Sequence, residues 1–170
     1  MMNEFESQHA GNPVGEIPPD QSGLRRRILL AAEPGDLRQL VVEVLVDAGY
    51  RVEVAEDGAA AWAALQQPDG YDLLITDQFL PKLSGVELAK KIHLAQMTLP
   101  VIMATKIMPT WEFALHPCLQ SVKMLRIPYS NTKLLGMVRN TLSQVSLVRA
   151  KIGPESNRQS LPAADRLWPG

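Results

Sequence analysis

The sequence predicts an α/β fold, a five-stranded parallel sheet with helices on both faces. Three observations predict it. Five short apolar runs alternate with five segments of helical apolar spacing. Most of these runs are close to continuously apolar, as strands covered on both faces are. The chain has 170 residues, 46% of them apolar, enough for one domain with a substantial core. Right-handed crossovers follow from the strand–helix–strand order.

Each element has its own signal. Residues 28–32, ILLAA, give a first strand. Asp36 is expected to cap a helix whose apolar positions are Leu37, Leu40, Val41, Val44 and Leu45, with Gly49 as its stop. Residues 51–55, RVEVA, alternate like an edge strand. The Ala-rich stretch 57–67, with Trp62 and Leu65, reads as a second helix. Residues 73–76, LLIT, give a third strand. Ser84 with Glu87 three residues on forms a capping box, opening a helix through about residue 94. Residues 99–105, LPVIMAT, give a fourth strand. Pro109 and Pro117 bracket a short helix over 110–115. Residues 122–126 give a fifth strand. Residues 131–152 give a last helix, with Leu134, Leu135, Val138, Leu142, Val145 and Val148 near helical spacing. Residues 1–23 and 153–170 are polar and lack apolar periodicity, so they are expected to be flexible segments flanking a domain over 24–152.

Composition narrows the function classes. A net charge of −1 gives no global attraction to nucleic acid or to an anionic membrane. The one basic cluster, Arg25-Arg26-Arg27, reads as a solvated lead-in to the first strand. A single cysteine, Cys118, excludes an internal disulfide and fits a reducing compartment. No apolar run approaches the ~20 residues of a membrane span, and residues 1–23 carry no hydrophobic signal segment. The expected location is cytoplasmic. No Gly-rich phosphate loop occurs.

In sheets of this kind ligands bind beyond the carboxyl ends of the strands. Four places fall there: Ala32-Glu33, Asp77, Thr105-Lys106 and Arg126-Ile127. The stretch LITDQFLPKLSG, residues 74–85, ends an apolar strand on Asp77, with Pro81 and Gly85 following. By itself it reads equally as a turn or as a reactive carboxylate at the sheet edge.

Over about residues 27–142 the chain resembles the receiver domain of bacterial response regulators, the CheY-like family. DLLITDQFLPKLSG is similar to the family's segment around the phosphorylated Asp, with matching Asp77, Pro81 and Gly85 spacing. PVIMAT matches the strand ending in the switch hydroxyl, here Thr105, and Pro128-Tyr129 resembles the Pro-Phe after the fifth strand. The resemblance implies a flavodoxin-like, doubly wound (βα)5 sandwich with strand order 2-1-3-4-5. It also implies a phosphorelay role, with Asp77 as phosphoacceptor and Thr105 as switch hydroxyl. Mg²⁺ would be held by Glu33, Asp77 and the Phe79 backbone carbonyl, an all-oxygen set of the kind Mg²⁺ favours.

The carry-over also exposes departures that mark an atypical, degenerate member. The family's acidic pair after the first strand falls on Ala32 and Glu33, so one carboxylate is absent. The Lys after the fifth strand is Ile127, and the position three before it is Met124. Mg²⁺ binding is therefore expected to be weak or lost. Phosphorylation is expected to be weak or absent, because charge that develops on the phosphoryl group needs cations. Lys106, beside the switch Thr, is either an exposed loop residue or a compensating cation that reaches Asp77. Arg126 is expected to point away by strand alternation. Phe79 and Ile107 stand where the family lines the path of hydrolytic water, so any phospho-Asp77 is expected to hydrolyse slowly.

Other constellations carry less. His93, near Lys90 and Lys91, reads as a solvated helix position, and His116 with Cys118 lacks the spacing of a zinc or nucleophile pair. Trp111 and Phe113, with Met124 and Tyr129, fall on the family's signalling surface, and exposed aromatics there suit a partner contact. Burial of Trp111 and Phe113 beneath the Pro-bracketed loop is the alternative. The last helix overruns the family's length with Val145, Leu147 and Val148, offering a surface for a homodimer. The leading reading is a stand-alone, non-enzymatic receiver-like module of a two-component pathway. Its partner would be a protein, such as a histidine kinase or downstream regulator, and neither nucleic acid nor a membrane. The second reading is an active receiver phosphorylated on Asp77 by a histidine kinase with Mg²⁺. A third, a small enzyme on the same fold, lacks a nameable general base or pocket.

Overall fold

A computed structural model describes residues 25–151. The expected flexible segments 1–23 and 153–170 lie outside the described residues. The elements run β1 (Arg27–Ala31), α1 (Asp36–Asp47), β2 (Arg51–Ala55), α2 (Gly58–Leu65), β3 (Leu73–Asp77), α3 (Gly85–Leu94), β4 (Val101–Thr105), α4 (Thr110–Leu115), β5 (Lys123–Arg126) and α5 (Asn131–Lys151). One five-stranded sheet has the order β2-β1-β3-β4-β5, and every pair is parallel.

The two faces of the sheet follow from the period of two along each strand. In β1, Leu29 and Ala31 join one apolar cluster, while Ile28 and Leu30 join the other. The first cluster lies under α2 and α3, through Ala61, Leu65, Leu88 and Ile92. The second lies under α1 and α5, through Val41, Leu45, Leu134, Val138 and Leu142. Leu29, Leu74, Ile102 and Leu125 are fully buried, and burial of each such side chain contributes roughly 1.5–3 kcal/mol.

The structure moves several expected boundaries. α1 is capped by Gly35, without a side-chain cap, and Asp36 is its first residue. β4 begins at Val101, two residues later than expected, because Pro100 has no N–H to give to a ladder. Between α4 and β5 lies a 3₁₀ turn over Pro117–Ser121, not expected from the sequence, and it buries Leu119. Gly49 ends α1 at φ 91°, the left-handed conformation that favours glycine. The Ser84–Glu87 capping box forms in full, with Ser84 Oγ accepting the Glu87 N–H at 3.2 Å and Glu87 accepting the Ser84 N–H at 2.9 Å.

Candidate functional site

Ladder bonds continue one residue beyond the strands and gather the expected positions at one edge. Ala32 N–H donates to the Ala55 carbonyl at 3.1 Å, Gln78 N–H to Ala104 at 3.0 Å, and Ile127 N–H to Thr105 at 2.8 Å. Asp77 lies opposite Ala104 in the β3–β4 register, so its neighbour across the gap is the residue before Thr105. Asp77 is half-buried and Glu33 is exposed.

Among the described residues, no cationic side chain pairs with Asp77. Its pKa is pushed up to about 6, first by burial and then by the negative charge of Glu33. The ion pairs among the described residues are Arg26–Asp72, Arg27–Glu53 and Lys82–Asp57, and none of them includes Asp77. Lys106 is exposed and is not brought onto Asp77. Ile127, half-buried, stands where a cation was expected in the family pattern. The ring of Tyr129 is close enough for the Asp77 charge to raise its pKa, after burial. Tyr129 packs on the α1/α5 side of the sheet.

A raised carboxyl pKa has a definite sign. The folded chain binds the Asp77 proton more tightly than the unfolded chain does, so folding stability falls as pH rises from about 4 to about 6. Above that window the charged group opposes folding by about 1–2 kcal/mol, once solvent screening of a half-buried site is allowed for. Asp77→Asn is therefore expected to raise stability at pH 7.5 by that amount in EDTA and to flatten this part of the pH profile. Urea denaturation across the pH range checks it.

The rest of the edge is held by backbone contacts. Gly85 N–H donates to the Gln78 carbonyl at 3.0 Å, and a Cβ on Gly85 would lie 2.2 Å from the Asp77 carbonyl oxygen. Gly58 N–H donates to Pro81 at 3.3 Å, and a Cβ on Gly58 would lie 1.8 Å from the Leu83 carbonyl oxygen. Lys82, at φ 65°, places its Nζ 2.6 Å from Asp57 Oδ2, while Asp57 accepts the Ala60 N–H at the head of α2. Lys82 and that N–H together hold the Asp57 carboxyl below its usual range. The segment 78–84 is thus tied to α2 at one end and to α3 at the other. The Asp57–Lys82 tie was not foreseen from the sequence. The only signal for it is Asp57 preceding Gly58 and an Ala-rich run.

Thr105 is buried, 2% exposed. It contacts Gln78 Oε1 and the Ile107 carbonyl, and it accepts the Ile107 N–H at 3.1 Å. Gln78 was not singled out from the sequence. Phe79 and Ile107 are exposed apolar residues at 66% and 67%. Of the expected signalling residues, Trp111 is open at 73%, whereas Phe113 and Met124 are half-buried against the α2/α3 side of the core.

Fold and edge together define a doubly wound α/β domain with a carboxylate at the switch point of its sheet. The family model for the response regulator receiver domain matches residues 28–115, just over half of the chain, and the chain belongs to that family. It is 41% identical over 66 residues to the response regulator receiver protein CpdR of Brucella abortus, covering 39% of this chain and 54% of that one. It is 42% identical over 82 residues to the response regulator RppA of Synechocystis, covering 48% of this chain and 35% of that one. The chain thus spans about half of the first relative's length and about a third of the second's. Among solved structures, the chemotaxis response regulator CheY4 of Vibrio cholerae superposes with a TM-score of 0.62 at 26% identity, covering 69% of this chain and 99% of that one.

Receiver domains are signalling modules of two-component systems, and they bind Mg²⁺ at the phosphorylation site. The positions that would hold the ion are Asp77, Glu33 and the backbone carbonyl of Phe79, one carboxylate fewer than the family pattern because Ala32 has no side-chain oxygen. The described residues hold no group of three or more His, Cys, Asp or Glu side chains suited to a metal ion. Two carboxylates and one backbone carbonyl would thus face a Mg²⁺ ion, an all-oxygen set with one carboxylate missing. No helix among the described residues is long and apolar enough to cross a membrane.

Proposed function

We propose that this receiver signals by protein–protein contact, with little or no phosphorylation at Asp77 and weak or lost Mg²⁺ binding. The observation that carries the reading is the environment of Asp77: burial and Glu33 raise its pKa, and no cation among the described residues lowers it. A phosphoryl group arriving there would add charge beside two carboxylates, with Ile127 in place of a cation and Ala32 in place of a metal ligand. Partners of protein type, a histidine kinase or a downstream regulator, suit the exposed apolar residues Phe79, Ile107 and Trp111 beside the site. A second copy of the chain is a further candidate, through the far end of α5, where Leu147 is exposed. Nucleic acid and membranes are not partners in this reading, and no catalytic turnover is assigned.

One observation favours a second reading, an active receiver with Asp77 as phosphoacceptor and Thr105 as switch hydroxyl. Glu33 is near enough to act on Asp77, so a divalent cation would find two carboxylates. Titration with Mg²⁺ and beryllofluoride, followed by amide NMR, separates the two. The proposal expects no saturable response at millimolar metal. A saturable response that Asp77→Asn abolishes would establish the active receiver instead.

A further inference from the structure

We infer that Gln78 is a positioning residue that latches the Thr105 hydroxyl in one orientation without any phosphoryl group. Gln78 is rooted through its backbone on both sides: its N–H donates to Ala104 and its carbonyl accepts the Gly85 N–H, each at 3.0 Å. Its side chain is buried, 7% exposed, and its amide oxygen meets the Thr105 hydroxyl across 27 residues of sequence. Thr105 also binds the turn that follows it, with its oxygen 2.5 Å from the Ile107 carbonyl and 3.1 Å from the Ile107 nitrogen.

A hydroxyl has one proton. In Thr105 that proton already faces two carbonyl-type oxygens, and a lone pair already takes the Ile107 N–H. Nothing is left to give to an oxygen on Asp77 unless one of these bonds breaks. In a buried site such a network is strong and specifies one arrangement. The network joins the end of β3 to Ile107, three residues ahead of α4, so it presets the connection that leads to Trp111. This inference deepens the phosphate-independent reading and depends on it for its biological meaning. The latch itself is testable apart from that reading.

The test uses the full chain in EDTA, with no phosphoryl mimic. Three-bond couplings to the Thr105 methyl carbon report its χ1. The latch predicts a single rotamer in the wild type. In Gln78→Met, which keeps the chain length and removes the acceptor, it predicts averaging over rotamers and a shifted Trp111 indole signal. Gln67→Met, at an exposed position, should leave both unchanged. A rotamer-averaged Thr105 in the wild type overturns the inference, and that measurement needs no variant to fold. A single rotamer retained in folded Gln78→Met also overturns it. A wild type that holds one Thr105 rotamer and yet responds to Mg²⁺ and beryllofluoride supports the latch and refutes the phosphate-independent reading.

Discussion

The double substitution Ala32→Asp with Ile127→Lys is expected to raise phosphoryl transfer to Asp77. Ile127 N–H is already fixed by the Thr105 carbonyl, and its side chain is half-buried at the sheet edge. A lysine there can lay its stem on the apolar edge and extend its ammonium toward Asp77. Ala32 is 5% exposed and directly precedes Glu33 at the end of β1, so a carboxylate there would restore the first acidic position of the family pattern. A charge-assisted contact contributes roughly 1.5–3 kcal/mol, and each 1.4 kcal/mol is tenfold. The pair should therefore raise phosphorylation from a small acyl phosphate by about 10²- to 10⁴-fold. The single variants report the physics separately. Ile127→Lys should draw the Asp77 pKa down from about 6, measured by carboxyl ¹³C NMR. Ala32→Asp alone should destabilise the fold in EDTA and regain stability with Mg²⁺, because three carboxylates repel until a cation joins them.

Gly85→Ala and Gly58→Ala are expected to be among the most damaging single-methyl additions in the domain. Each Cβ would meet a backbone carbonyl oxygen, of Asp77 at 2.2 Å and of Leu83 at 1.8 Å, and neither is the free end of a side chain. Relief requires moving α3 off the Asp77 strand end, or the 78–84 segment off α2. Overpacking of this kind costs about 3 kcal/mol or more where backbone must shift. Gly136→Ala provides the opposite sign. It lies within α5 with open space at its Cβ position, so alanine should stabilise by about 0.5–1 kcal/mol through helix propensity. Urea denaturation of the three variants side by side checks both signs.

The difference between these glycines shows what the sequence could and could not reveal. Gly85 was visible as part of the spacing around Asp77, and the Ser84–Glu87 box beside it is local, with partners three residues apart. Local signals of that kind, with the two- and 3.6-residue periods, made the order of elements and the parallel sheet legible. The candidate edge was legible too, because a parallel sheet places all strand ends on one side. The contacts that set the site's chemistry are not local. Gln78 meets Thr105 only because the β3–β4 register sets Asp77 against Ala104. Lys82 reaches Asp57 only because Gly58 lets two segments touch. Lys106 was a candidate cation by adjacency to Thr105, yet adjacency does not fix direction: Thr105 is buried and Lys106 is exposed. The start of α1 at Gly35 and the 3₁₀ turn over Pro117–Ser121 escaped because neither has a distinctive residue pattern.

On the proposed reading, the cation-poor edge around Asp77 does not sustain phosphorylation. Intact-mass measurement tests it most directly, on the wild-type chain incubated with a small acyl phosphate and millimolar Mg²⁺, beside Asp77→Asn and the Ala32→Asp/Ile127→Lys variant. The wild-type mass is expected to stay unchanged and the double variant to gain one phosphoryl group. A wild-type chain that gains one phosphoryl group, and loses that gain in Asp77→Asn, would contradict that reading.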